Sequence, residues 1–390
     1  MNDVILNEVE KIKEYLDEIF CKLHSNPELS TQEFETQALI LEELNKMGIE
    51  AKKIADTGVL GLIRGSLPGK TVAFRADMDA LPITEETNLS YKSKNNGVMH
   101  ACGHDSHVTI LLGLAKILSS RKASLKGNVK LFFQPAEETI GGAKRMVEEG
   151  CMENPKVDAV FFSHCSLSPV GKISVRPGTV SANSTAISIT FKGKGCHGSS
   201  PHIGNDVIVA ASQAVLALQT ICSRRTAPTD SLVLSIGQFN AGTAPNILPE
   251  TAELNGTMRT IDLKTRERAS NDIRQIVNGI ASAMGVDVDI KLKYGYTSTY
   301  NDEDMTKLVI NSAKKIVGEN NIKVYKTPSM GLEDVGCFIN ASKGCYYNFG
   351  VATENEEIYP VHNPKFKVNK DGLVIGTAMY LQIAEDFLNG

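Results

Sequence analysis

The run Val98-Met99-His100-Ala101-Cys102-Gly103-His104-Asp105-Ser106-His107 holds three of the chain's eight histidines and one of its eight cysteines. Imidazole and thiolate are the donors that zinc and other late divalent metals prefer. Cys102 and His104, two residues apart, would face one side of an extended segment. A helix beginning near Asp105 would aim its N-terminal amides at the same spot. The chemistry suggested is a metal site at a helix start. A Cys-x-His pair alone says little, because most buried cysteines are small hydrophobes and many histidines cap or fill.

Other residues of the chain carry compatible chemistry. Glu137 and Glu138 follow an apolar run and Pro135. Neighbours in extended backbone point opposite ways, so one carboxylate could bind metal while the other takes a proton. The plain alternative is a solvated loop pair. Asp77 and Asp79 are either strand-ending turn residues or carboxylates that fix the tautomer of a ligand imidazole. His164 and His362 are each either hydrogen-bonded, partly buried histidines or ligands. Arg259 is an exposed cation or a bidentate clamp for a substrate carboxylate.

Gly193-Lys-Gly195-Cys-His197-Gly198 spells G-x-G-x-x-G, but Pro201-His202 intervenes before a helix starting near Asn205-Asp206. No acid lies about 20 residues further on, as the dinucleotide fingerprint requires. The glycines therefore read as a turn presenting His197. A serine-hydrolase elbow, G-x-S-x-G, is absent.

These residues need elements to hold them. At 390 residues the chain exceeds one ordinary core, so two domains are expected. It is 42% hydrophobic and 22% charged with a net charge of −4. The lack of basic excess argues against nucleic acid, and no apolar run reads as a membrane span of roughly 18 or more residues. Leu6, Val9, Ile12, Leu16, Ile19, Phe20 and Leu23 follow a helical period, unlike a signal peptide. Scattered cysteines without such a signal point to reduced thiols in a cytoplasm.

Ser30-x-x-Glu33 reads as a capping box for a helix ending at Gly48. Strands are expected at 59–64, 71–76, 129–133 and 157–162, and a helix at 106–120. The alternation predicts an α/β sheet covered on both faces. Asp77, Asp79, Glu137, Glu138 and His164 then fall just after strands, where such sheets form sites. From about 181 the order becomes strand 186–191, helix 207–221, strands 232–238 and 252–259, helix 264–284, strand 286–292. This β-α-β-β-α-β pattern is ferredoxin-like. It looks inserted, because Glu333, Asp334 and His362 return afterwards.

Taken in order, Arg75-Ala-Asp77-Met-Asp79-Ala-Leu-Pro82, Met99-His-Ala-Cys102-Gly-His104-Asp105, Phe133-Gln-Pro-Ala-Glu137-Glu138, Gly195-Cys-His197 and Val361-His362-Asn-Pro364 resemble a known family. It is the metal-dependent amidohydrolases that include hippurate hydrolase, indole-3-acetyl-amino-acid hydrolases and N-acetyldiaminopimelate deacetylase, a branch of the dinuclear zinc-peptidase-like superfamily. The resemblance implies a catalytic α/β domain from 1–181 and 295–390, and an inserted lid and dimerisation domain at 182–294. It implies two divalent ions per subunit, manganese or zinc, with cobalt and nickel also used in such enzymes. Their ligands would be Cys102, His104, Glu138, His164 and His362, with Glu137 as general base. His197 matches a lid histidine that reaches a neighbouring active site in related dimers and steadies the oxyanion. Asn246 and Arg259 match substrate-binding lid positions.

The expected activity is hydrolysis of an N-acyl amino acid to a carboxylate and a free amino acid. Dipeptidase or carboxypeptidase activity on small peptides is the rival reading, and a metal-binding protein without catalysis a third. His100 and His107 are expected to be structural, and Asp105 a helix cap. The chain departs from the family's pattern at Cys196, at Phe162–Ser166 and at Met330–Val335, so the resemblance does not define the acyl and amino-acid pockets.

Overall fold

Runs such as Val129-Lys-Leu-Phe-Phe133 and Ala159-Val-Phe-Phe162 combine high β-propensity with apolar side chains on both faces, which suits strands buried between helices. The structure, a computed structural model, describes residues 2–390 and divides into two compact units. The first comprises the described residues up to Val180, with Thr299–Thr327 and Asp334–Gly390. Its sheet runs in the order Glu50–Ile54, Gly58–Arg64, Lys126–Gln134, Leu67–Asp77, Ala159–Pro169, Lys343–Ala352, Ile173–Val175, Ile322–Val324.

The four strands from Lys126–Gln134 to Lys343–Ala352 are parallel neighbours, with Phe74 facing both Leu131 and Phe161 in register. Strand alternation sorts their side chains between two cores. Phe74, Leu131 and Phe161 join the helices His104–Ser120 and Asp371–Asn389. Ala73, Phe132, Val160 and Phe162 meet Gly142–Glu148 and Gly336–Ala341. The parallel strands bring their carboxyl ends to one edge, the edge where sheets of this kind build their sites. Asp77 ends its strand there, and Glu137 and Glu138 follow the strand that stops at Gln134.

Several local expectations are corrected. The N-terminal helical period is split into Asp3–Glu10 and Lys13–Ser25. The helix after Ser30-x-x-Glu33 spans Phe34–Lys46, but Ser30 and Glu33 bond elsewhere and its first-turn Glu35 and Thr36 amides donate to the Glu28 carboxylate instead. The helix near Asp105 starts at His104 with Gly103 at its N-cap, so Asp105 sits in the first turn. His164 lies within the Ala159–Pro169 strand rather than after it.

The second unit comprises Ser181–Ser298 and Pro328–Glu333. Its antiparallel sheet runs Leu232–Ala241, Thr251–Thr260, Asn183–Lys192, Asp287–Tyr294. Helices Val207–Arg224 and Leu263–Met284 pack against it. Both are capped by aspartates: Asp206 accepts from the Ile208 and Val209 amides, and Asp262 from that of Thr265. The element order is the β-α-β-β-α-β order of the sequence. This unit reaches beyond 294, since the Ser298 amide donates to Asn183 Oδ1 at 2.9 Å. It also takes in 328–333, where the Ala182 amide donates to the Gly331 carbonyl at 3.0 Å. The Val207–Arg224 helix is long and apolar enough to cross a membrane on length and composition alone, contrary to expectation. One face, with Ala210, Ala214, Leu218 and Ile221, is core.

Candidate metal centre

Arg75 and Asp77 close the Leu67–Asp77 strand and anchor the site's floor. The buried Arg75 guanidinium donates from Nη1 to Asp77 Oδ2 at 2.7 Å and from Nε to Gln134 Oε1 at 2.8 Å. Its Nη2 reaches Asp334 Oδ1 at 3.2 Å. Asp334 also accepts from Gln134 Nε2 and from the Ala143 amide, so it ties strand ends together. Burial opposes ionisation of Asp77, but Arg75, His104 and His107 outweigh it and hold the carboxyl well below its usual range.

His107 is occupied on both sides. Its Nδ1–H donates to Asp77 Oδ1 at 2.5 Å, and its Nε2 accepts from the Cys165 amide at 2.9 Å. Neither ring nitrogen remains for a metal. Asp77 thus orients His107, and its Oδ2 also lies 3.4 Å from His104 Nε2.

A turn, not an extended segment, brings Cys102 and His104 together. Gly103 has φ 81°, and a Cβ there would lie 2.6 Å from Cys165 Sγ. His104 Nδ1–H donates to the Asp79 main-chain carbonyl at 2.8 Å, with Asp79 Oδ1 at 3.3 Å. The opposite nitrogen, Nε2, is buried without a hydrogen-bond partner. His164 is oriented likewise: Nδ1–H donates to the Cys165 carbonyl at 2.8 Å, and Nε2 lies 3.5 Å from Cys102 Sγ. These backbone bonds select the tautomers that leave both Nε2 lone pairs for a ligand.

Glu138 Oε1 lies 3.9 Å from His104 Nε2 and 3.3 Å from His362 Nε2. Cys102, His104 and Glu138 each offer a donor within 4.8 Å of the others. His362 adopts a left-handed backbone, φ 65°, and its amide donates to the Ala101 carbonyl at 2.8 Å. Residues from four separate stretches of chain therefore present donors to one place.

Burial pushes the Cys102 thiol far up, so it stays protonated without a cation nearby. Burial also opposes charge on Glu138, yet His362 and His104 hold its carboxyl below the usual range. Conversely, burial lowers His104, but the Asp77 carboxylate overrides it and raises the imidazole well up. This pocket favours positive charge. A partly buried acidic setting, an orphaned imidazole nitrogen, a thiol, a carboxylate and two further imidazoles fit a late divalent ion.

Glu137 and Glu138 occupy a turn after Ala136, whose φ is 55°, so strand alternation does not separate them as expected. The Glu138 amide donates to Asp79 Oδ2 at 3.0 Å, and Ser30 Oγ donates to the same oxygen at 2.6 Å. Glu137 is half-buried. Arg75, Gln134 and Ser30 were not singled out by the sequence reading as chemistry. The only signal for Ser30 was a spacing that mimics a capping box.

In the second unit, Cys196–His197 pairs with Ile247–Leu248 as a short ribbon. The Gly198 amide donates to the Asn246 carbonyl at 2.8 Å, bringing His197 and Asn246 together. His197 is exposed, and its Nδ1 accepts from the Ser199 amide at 3.2 Å. The proton is then on Nε2, available for donation. Arg259, on the Thr251–Thr260 strand, donates from Nη1 to the Met330 carbonyl at 3.3 Å.

Comparison with known proteins agrees with this geometry. The chain is 40% identical over 390 residues to thermostable carboxypeptidase 1 of Saccharolobus solfataricus, covering 98% of each chain. It is 38% identical to the hippurate hydrolase of Campylobacter jejuni, covering 98% of this chain and 99% of that one. A crystal structure from Bacillus subtilis, described as a dinuclear metal-binding peptidase of the M20 family, superposes with a TM-score of 0.84 at 33% identity, covering 97% and 99%. Residues 73–386 match the model of peptidase family M20/M25/M40. With relatives named as hydrolases along its whole length and a metal-fitting donor cluster at its strand ends, the chain is a hydrolase belonging to peptidase family M20/M25/M40.

Proposed function

We propose that the protein hydrolyses the amide bond of N-acyl amino acids, releasing a carboxylate and a free amino acid. The observation that carries this reading is the convergence of Cys102, His104, Glu138, His164 and His362 beside Glu137. Those five side chains would hold two divalent ions, manganese or zinc, which when bound polarise the amide carbonyl and acidify the attacking water. Cys102 surrenders its proton on loading, and Asp79 keeps the His104 ring in place. Glu137 takes the proton of the attacking water and returns it to the leaving nitrogen. His197 donates its Nε2–H to the carbonyl oxygen as negative charge develops. Asn246 and Arg259 hold the substrate, Arg259 through its carboxylate.

His197 acts, in this proposal, on the site of a neighbouring subunit in a homodimer. Exposed apolar groups in the second unit support association: Val233 and Phe239 on the edge strand Leu232–Ala241, and Ile208, Val209 and Leu216 on the adjoining helix. Eight unpaired cysteines suit a reducing cytoplasm.

Small-peptide hydrolysis is the second reading, favoured by the identity to the S. solfataricus carboxypeptidase. Stripping the protein of metal should abolish turnover, and manganese or zinc should restore it. Assaying N-acetyl and N-benzoyl amino acids beside dipeptides then decides between the two. Faster turnover of dipeptides would reverse the order.

A further inference from the structure

Glu33 is a buried carboxylate far in sequence from every candidate ligand, yet it bonds to the loop that carries Glu137. Its Oε1 accepts from the Ala136 amide at 2.8 Å, and its Oε2 from Thr57 Oγ1 at 2.5 Å. Ala136 is a buried, non-glycine residue at φ 55°, a conformation that persists only where surroundings enforce it. Its carbonyl is fixed too, accepting from the Gly141 amide at 2.9 Å. On the other side of Glu137, the Glu138 amide is held by Asp79, which Ser30 supports. The Ser30–Glu33 segment thus secures the Pro135–Ala136 peptide directly and the Glu137–Glu138 peptide through Asp79, while Gly141 holds the Ala136–Glu137 peptide between them.

We propose that Glu33 is a positioning residue for hydrolysis: by holding the Ala136 amide it keeps Ala136 in its left-handed conformation and so aims the Glu137 carboxylate at the reacting water. This rests on Glu137 being the general base. Glu33→Gln keeps an acceptor for the Ala136 amide and can donate to Thr57 Oγ1. Glu33→Asp keeps the charge but shortens the reach, and Glu33→Met keeps the volume without an acceptor.

Each variant should be assayed for kcat, KM, bound metal and melting temperature in the metal-loaded enzyme. Glu33→Gln should stay within about threefold of wild type, and Glu33→Met should lose roughly 100-fold in kcat, the scale of a 1 Å misplacement, with KM and metal content unchanged. Glu33→Asp should fall between them. A Glu33→Met enzyme with wild-type kcat, or one whose lost kcat matches lost metal, overturns the proposal. So does a Glu33→Gln enzyme as impaired as Glu33→Met. If Glu33→Met does not fold, Glu33→Asp at or above Glu33→Gln in kcat is equally decisive against it. Glu137→Gln, run in parallel, separates the two claims. Turnover surviving there removes the general base itself, whereas a dead Glu137→Gln with unaffected Glu33 variants removes only the positioning role.

Discussion

Two adjacent carboxylates divide the work because different partners hold them. Glu138 is drawn to His362 and His104 and kept ionised, as a ligand must be, while Glu137 stands next to it in a turn fixed from both sides. Glu137→Ala should therefore retain metal but lose about 10²–10⁴ in kcat, the usual contribution of a positioned general base. Metal analysis and single-turnover rates on one sample check both halves. A second residue-scale expectation concerns His24, buried between Asp105 Oδ2 at 2.6 Å and Glu85 Oε1 at 3.3 Å, with the Tyr91 ring against its edge. Burial opposes its charge, but Asp105 and Glu85 win and raise it to about 9. Its folded pKa exceeds the unfolded value of about 6.5, so its stabilisation is full below that pH and fades as pH climbs toward 9. The shift corresponds to roughly 3 kcal/mol. Urea midpoints should fall between pH 6.5 and 9.5 in the wild type and stay flatter in His24→Asn. Equal slopes would remove His24 as the cause.

Elements were legible in the sequence where burial imposes a period, and illegible where tertiary bonds recruit a local motif. The strands expected at 59–64, 129–133 and 232–238 lie inside Gly58–Arg64, Lys126–Gln134 and Leu232–Ala241. The first two run apolar because both faces are covered, and the third alternates because only the face with Leu232, Leu234 and Ile236 packs on a core. Ser30-x-x-Glu33 had the spacing of a capping box, but its side chains serve Asp79, Thr57 and Ala136. Those partners lie from about two dozen to one hundred residues away, beyond the reach of any local pattern. The Cys102–His104 pair was found for its chemistry, while the geometry that joins it belongs to Gly103. Gly103→Ala would force a Cβ into a left-handed position against Cys165 Sγ, at a cost of roughly 1–3 kcal/mol. Thermal unfolding should show that loss, together with weaker metal retention on dialysis. An unchanged melting temperature and metal content would mean that the turn relaxes freely.

At the scale of the whole molecule, the chain alternates between two kinds of sheet. A largely parallel one has covered faces and the candidate metal donors at its strand ends, and a small antiparallel one carries Arg259, with His197 and Asn246 on a short ribbon of the same unit. If His197 serves a neighbouring subunit, mixing Glu137→Ala with His197→Ala should restore activity in hybrids. Random dimer exchange predicts recovery of about a quarter of wild-type activity, since half the dimers are hybrid and each has one intact site. Confirmed exchange without recovery would argue for action within one chain. Phe239→Glu on the edge strand should shift the protein toward monomer in analytical ultracentrifugation.

By itself the sequence determined the donor types, the α/β and ferredoxin-like patterns and the family, because side-chain chemistry and burial period are written residue by residue. Only the tertiary structure decided that His107 is spent on Asp77 and Cys165, that Asp334 braces Arg75 and Gln134, and that Glu33 holds the Glu137 loop. A hydrogen bond's partner is set by proximity in space, and folding brings together residues that sequence spacing leaves far apart.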